Sequence, residues 1–251
     1  MKQHLTIITG ASHGLGLAMA MQRLTPGATV LCISRRASDE LAHHAQAASA
    51  NLEQWAMDLS SGAAAASALS AWLQTKVHLP WHSATLINNA GVISALGPLR
   101  DGQSADLANA LRVGLEAPML LSAAFLGATR NWKIPRKVLN ISSGLGRRAM
   151  ASSASYCAAK AGMDHFTRSM ALDEAGAENG ARVCSLAPGV IDTDMQVQLR
   201  GAEESLFPDL ATFRSLHSQG QLSSASETAA KVLAYLERPD FGTQSVADIR
   251  D

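Results

Sequence analysis

Eight residues near the start of the chain, Thr9-Gly10-Ala11-Ser12-His13-Gly14-Leu15-Gly16, constrain the fold more than any other segment. They follow an apolar run at residues 5–9 and lead directly into a helical pattern at 15–24. Glycines at the spacing G-x-x-x-G-x-G permit a tight turn and a close backbone approach to a pyrophosphate. The helix behind them offers free N–H groups and the positive end of its dipole. A glycine turn placed between a first strand and a first helix therefore reads as a dinucleotide-binding turn. Its candidate contacts are Gly10, Ser12, His13, Gly14, Leu15 and Gly16.

The rest of the chain repeats the alternation that this turn begins. Apolar runs at 28–34, 52–57, 84–88, 137–142 and 182–187 read as strands. Helical patterns at 38–49, 63–76, 105–129 and 153–177 lie between them, and a helix at 226–237 and an edge strand at 245–249 close the chain. Continuous rather than alternating apolar runs belong to strands buried on both faces. With right-handed crossovers, the expectation is a single α/β domain over residues 1–251. It would be a doubly wound, Rossmann-type parallel sheet of about seven strands with helices on both faces. The irregular segment 192–222, with Gly201, Pro208 and Gly220, reads as a mobile substrate loop above the sheet.

Composition removes several function classes. Lys plus Arg and Asp plus Glu each number 21, so the net charge is zero and no basic footprint for nucleic acid is present. No membrane association is expected either: the apolar run at 117–128 is too short to span a bilayer, and residues 1–4 leave no room for a signal peptide. Cys32, Cys157 and Cys184 are far apart and fit reduced thiols of a cytoplasmic protein. Asn140-Ile141-Ser142 matches a glycosylation sequon but falls in a predicted buried strand. The pairs His43/His44 and His78/His82 make no credible metal site.

The end of the second strand separates the two nicotinamide dinucleotides. A free ribose 2′-OH usually meets an acid there, and a 2′-phosphate an arginine. Here the strand ends Ile33-Ser34-Arg35-Arg36, with no acid before Asp39. Arg35, assisted by Arg36 and His13, favours NADP (NADPH) over NAD.

Tyr156 and Lys160 form Y-x-x-x-K in a helical stretch, which places both side chains on one face. A free phenol, with a pKa of about 10, is a poor acid or base at neutral pH, and a neighbouring ammonium lowers that value. Ser143, at the end of the fifth strand, stands where ligands bind in open α/β sheets. Its hydroxyl suits a carbonyl oxygen that gains charge.

Taken together, these segments resemble the short-chain dehydrogenase/reductase family over nearly the whole chain. The motifs are the glycine turn, Asp58-Leu59, Asn88-Asn89-Ala90-Gly91, Ile141-Ser142-Ser143, Tyr156-Cys157-Ala158-Ala159-Lys160 and Pro188-Gly189-Val190-Ile191-Asp192-Thr193. The resemblance implies that Asp58 contacts the adenine amine, beside Leu59. Asn89, Ala90 and Gly91 would line the adenosine ribose side and support the sheet. Pro188, Gly189, the Ile191 backbone and Thr193 would hold the nicotinamide carboxamide, and Lys160 its ribose hydroxyls. It also implies hydride transfer with Tyr156 as proton donor, Lys160 lowering its pKa and Ser143 steadying the oxygen. Leu115-Glu116-Ala117-Pro118-Met119-Leu120-Leu121, with Asp192-Thr193-Asp194-Met195-Gln196, is similar to the sepiapterin reductase and benzil reductase branch, which reduces vicinal dicarbonyls with NADPH.

One position departs from the pattern. The family asparagine of the fourth helix, which holds a proton-relay water, is replaced in Arg112-Val113-Gly114-Leu115 by Gly114. A glycine there leaves room for a further water. The expected activity is reduction of a small carbonyl compound. The alternatives are an alcohol dehydrogenase working oxidatively and a dinucleotide sensor with weak turnover. In the family, the long helix at 105–129 and the Tyr156 helix form a contact between subunits, which implies a homodimer or homotetramer.

Overall fold

The continuous apolar runs pair edge to edge. The computed structural model describes residues 3–251. Its strands are β1 (Gln3–Thr9), β2 (Thr29–Ser34), β3 (Asn51–Ala56), β4 (Trp81–Asn88), β5 (Arg136–Ile141), β6 (Arg182–Ala187) and β7 (Val246–Asp248). They form one 7-stranded sheet in the order β3-β2-β1-β4-β5-β6-β7, and every pairing is parallel. β1 thus lies between β2 and β4, and the connections leaving it wind to opposite sides. That reversal opens a crevice beyond the carboxyl ends of β1 and β4.

Each face of the sheet carries its own core. On one side α1 (Gly14–Arg23), α2 (Asp39–Ala47) and α9 (Ala225–Glu237) cover Ile8, Val30, Ile87, Leu139 and Leu186. On the other, α3 (Gly62–Thr75), α5 (Ala117–Thr129) and α6 (Ala154–Ala175) cover Leu5, Ile7, Leu31, Leu86 and Val138. Side chains on both faces of the central strands are buried, which is why these strands read as unbroken apolar runs. Local chemistry sets several boundaries. Ser38 caps α2 by accepting from the Leu41 amide, and Ser224 with Glu227 forms a capping box on α9.

The stretch 105–129 is not one regular helix. α4 (Ser104–Leu111) passes through a π-helical turn, Arg112–Glu116, before α5 begins. Pro118 explains the break: it has no N–H to give, and its ring crowds the carbonyl one turn back, at Gly114. The chain inserts a wider turn, closed by the Ala117 amide on the Arg112 carbonyl. Joined across that turn, Ser104–Thr129 is long and apolar enough to cross a membrane by length and composition, longer than the apolar run at 117–128 alone. In this fold Ala117, Leu121 and Phe125 pack in the core with Leu69 and Leu73 of α3. The segment 192–222 carries α7 (Asp194–Arg200) and α8 (Leu210–Ser218), which cover a third cluster with Leu145, Met150 and Tyr156.

A polar thread runs through this apolar interior. Asn88 and Asn140 are register partners on β4 and β5. The Asn88 amide donates to Asn140 Oδ1 (2.8 Å) and to Ser122 of α5 (3.1 Å). Asn140 donates to Thr167 of α6 (2.8 Å), fixing both helices relative to the strands. Asn140→Ala strands these partners in a buried site. It is expected to cost roughly 2 kcal/mol or more, measurable by urea unfolding with an unchanged m-value.

Candidate active site

The crevice begins at a clamp between the ends of β1 and β4. Thr9 Oγ1 accepts the Asn89 and Ala90 amides at 2.9 and 3.0 Å. The Asn89 side chain returns to the Thr9 and Gly10 carbonyls at 3.0 and 3.2 Å. Gly10 and Gly14 adopt left-handed φ values of +67° and +56°. A Cβ on Gly10 would lie 2.9 Å from Ala90 Cα, and one on Gly16 would lie 2.1 Å from the Gly10 carbonyl oxygen. These glycines are therefore required by sterics before any ligand is considered. His13 takes the cap position of α1 without a side-chain hydrogen bond to it, so no side chain competes for the helix's free amides.

One cleft of ≈ 700 Å³ gathers nearly all the residues singled out from sequence. Gly10, Ser12, His13, Gly14 and Leu15 line it at the turn, and Arg35, Asp58 and Leu59 beyond β2 and β3. Asn89, Ala90 and Gly91 form its floor after β4. Pro188, Gly189, Ile191 and Thr193 line it after β6, and Ser143, Tyr156 and Lys160 complete it. Two predicted contacts stand apart. Gly16 packs behind the turn, and Arg36 is an exposed side chain outside the lining. His13 Nε2 lies 4.0 Å from Asp194 of α7, which places it between the turn and the covering segment.

At the other end of the cleft, α6 presents Tyr156 and Lys160, both buried. The Lys160 ammonium donates to the Ile141 carbonyl at 2.7 Å and lies 5.7 Å from the Tyr156 ring centroid. A Cβ on Gly91 would sit 3.7 Å from Lys160 Nζ, an ordinary contact, so the segment after β4 lies directly beside the ammonium. Burial pushes the Lys160 ammonium down to about 8, while the Asp164 carboxylate opposes the fall. Burial raises Tyr156 above its ordinary value, and the Ser143 hydroxyl works against that rise. Ser143 Oγ accepts the Leu145 amide at 3.1 Å, which leaves its own hydrogen free to donate.

Gly114 faces α6. A Cβ there would meet Ala159 Cβ at 3.1 Å, so the glycine allows a close approach of the residue preceding Lys160. Several lining or supporting residues escaped the sequence reading. Arg250 reaches the cleft from just beyond β7, whereas Gln196 on α7 belongs to the segment 192–222 already read as the substrate loop. Asp164, one helical turn past Lys160, lies beneath the pair. Its i, i+4 spacing was visible, but its partners were not.

The glycine turn, the uncapped α1 N-terminus and Arg35 are the donors and open space that a dinucleotide pyrophosphate and ribose need. A family model described as short chain dehydrogenase matches residues 4–204. A benzil reductase ((S)-benzoin forming) of Bacillus cereus is 34% identical over 235 residues, covering 94% of each chain. A sepiapterin reductase of Rattus norvegicus is 31% identical over 258 residues, covering 98% of this chain and 95% of the relative. Among solved structures, a protein described as a 2-deoxy-D-gluconate 3-dehydrogenase of Agrobacterium tumefaciens, with bound NADP, matches with a TM-score of 0.80 at 24% identity. It covers 99% of this chain and 95% of its own. A 3-oxoacyl-acyl-carrier-protein reductase of Brucella melitensis in complex with NAD has a TM-score of 0.81 at 21% identity, covering 99% and 96%. These two structures establish the likeness of fold.

The buried ammonium carries a stability cost with a definite pH signature. The Lys160 pKa is about 8 folded against 10.5 for the free side chain, so the cost, on the order of 3 kcal/mol, is fully present below pH 8. It fades as pH rises toward 10.5, because the folded state has already released its proton. Lys160→Met is expected to raise the thermal unfolding midpoint of the ligand-free protein near pH 7. The gain should shrink by about pH 10, which paired thermal scans will read.

Proposed function

The chain belongs to the short-chain dehydrogenase/reductase family, and on that footing we propose that it is an NADPH-dependent reductase of ketones or vicinal dicarbonyl compounds. As a member of that family it is an oxidoreductase acting on CH–OH/C=O groups. The observation that carries the finer reading is the convergence of Ser143, Tyr156 and Lys160 on one cleft with the dinucleotide turn. NADPH, when bound there, supplies the hydride. The chain's own residues handle the oxygen and the proton. Ser143 turns its free hydroxyl hydrogen toward the substrate oxygen. Tyr156 donates the proton that oxygen needs. Lys160 keeps one donor on the Ile141 carbonyl and has two left for the phenol and a ribose hydroxyl.

Burial raises Tyr156 and so keeps its phenol protonated in the ligand-free protein, with the Ser143 hydroxyl opposing the rise; the lowering by Lys160 expected from the sequence is not among the causes acting there. The substrate end of the cleft is apolar, lined by Ile93, Leu145, Met150, Met195, Leu199 and Phe213, which suits a bulky carbonyl compound. Arg35, in the cleft lining beyond β2, supports NADP over NAD. Exposed Leu111, Met119 and Leu172 on α4, α5 and α6 support assembly into a homodimer or homotetramer through those helices.

Against a panel of diketones, ketones, aldehydes and quinones, NADPH consumption is expected to exceed NADH consumption on at least one diketone. Tyr156→Phe should lower kcat by about 10²-fold or more while NADPH affinity is kept. Arg35→Ala should raise KM for NADPH by about tenfold and leave that for NADH little changed. Tight dinucleotide binding with no turnover on any carbonyl contradicts the proposal and favours a sensor.

A further inference from the structure

Beneath the Tyr156–Lys160 pair lies a charged cluster that the reaction as described does not use. Asp164 stands one turn after Lys160 on α6, so both side chains leave the same helical face. It is 1% exposed. Its Oδ1 accepts the hydroxyls of Ser142 (2.6 Å) and Ser185 (2.6 Å), from the end of β5 and from β6. Arg147 Nε lies at ion-pair distance, 3.4 Å, from Oδ2, and among the described residues no group donates a hydrogen bond to that oxygen. Two hydroxyl donors and a guanidinium are the surroundings of a carboxylate, not of a neutral acid.

The backbone is shaped to let this cluster form. Gly146 closes the turn after Ser143, and a Cβ there would lie 2.9 Å from both Asp164 Oδ2 and the Lys160 carbonyl oxygen. The turn therefore rests against α6 between the two charged residues. Ser142, gripped by Asp164, is the immediate neighbour of Ser143.

We propose that Asp164 is a positioning residue for the Tyr156–Lys160 pair, its buried carboxylate acting as the fixed counter-charge of the Lys160 ammonium and tying it to the strand end that carries Ser143. The inference rests on the reading of Tyr156 and Lys160 given above. A lone ammonium in this position would shed its proton readily, because burial disfavours its charge. The Asp164 carboxylate works in the opposite sense, and Arg147 moderates it from the solvent side. The remaining groups facing the cluster are few. Cys184 on β6 has its thiol pushed up to about 11 and stays neutral. Asp248 on β7 is engaged by Arg250 at 2.7 Å and by Arg147 at 3.6 Å. The π-helical turn meets α6 through the uncharged Gly114 and Leu115. A negative charge beneath the pair makes loss of its first proton harder, whichever of the two groups releases it.

The test uses the full chain and two substitutions of opposite sign. Asp164→Asn keeps the shape and an acceptor for the two serine hydroxyls but removes the charge. Arg147→Gln removes the moderating charge at a partly exposed position. Lysine labelled with ¹³C at Cε reports the titration of Lys160, one of six lysines, assigned by its loss in Lys160→Met. The Lys160 midpoint is expected to fall by about one pH unit in Asp164→Asn and to rise in Arg147→Gln. The alkaline limb of kcat/KM for carbonyl reduction should move in the same directions. A midpoint unmoved in Asp164→Asn, or shifted the same way in both variants, overturns the inference; if Asp164→Asn does not fold, the direction seen in Arg147→Gln decides. Turnover retained in Tyr156→Phe removes the catalytic reading instead, without touching the Lys160 midpoint.

Discussion

The structure depends on how closely three backbone segments meet at the ends of β1 and β4. The Thr9 hydroxyl holds two amides of the segment after β4, and the Asn89 side chain holds two carbonyls of the segment after β1. That exchange is possible only because Gly10 and Gly16 carry no side chains. It fixes the first helix over the crevice with its amides free, and it fixes the floor on which Lys160 faces Gly91. The winding of the sheet makes a crevice; the glycine clamp makes it narrow enough for backbone to touch a phosphate.

A second constraint is electrostatic. An ammonium donates to the Ile141 carbonyl in a buried site, and the Asp164 carboxylate one helical turn on opposes the loss of its charge. The protein tolerates this cost where it bears on the proton of Tyr156, as expected of groups whose charge is set by surroundings rather than by solvent. The same burial that lowers Lys160 to about 8 raises Tyr156 above its ordinary value, so two groups with similar values as free side chains move apart and Lys160 is the first of the two to release its proton.

Much of this was legible in the sequence, for identifiable reasons. The doubly wound parallel sheet followed from apolar runs and crossover handedness, and the glycine turn and the Tyr156–Lys160 spacing are local patterns that survive folding unchanged. What stayed hidden was non-local. Ser142 and Ser185 are 22 and 21 residues from Asp164, and nothing along the chain links them. Arg35 and Arg36 are equivalent as residue types, and only the twist at the end of β2 decides which faces the cleft. The π-helical turn depends on how Pro118 interrupts bonding one turn earlier, which periodicity alone does not register. The tight contact between Gly114 and Ala159 appears only once α6 is packed against that turn.

On the proposed function, one cleft holds a nicotinamide and a carbonyl carbon in direct reach of each other, with Tyr156 supplying the proton. The most direct measurement is a single-turnover reduction of a diketone with NADPH deuterated at nicotinamide C4, in ordinary water, with mass and NMR analysis of the alcohol. The expected result is one deuterium on the new carbinol carbon, an exchangeable hydroxyl proton from solvent, and no product from Tyr156→Phe on the same timescale. Alcohol without deuterium at that carbon, or equal product from the phenylalanine variant, would contradict it.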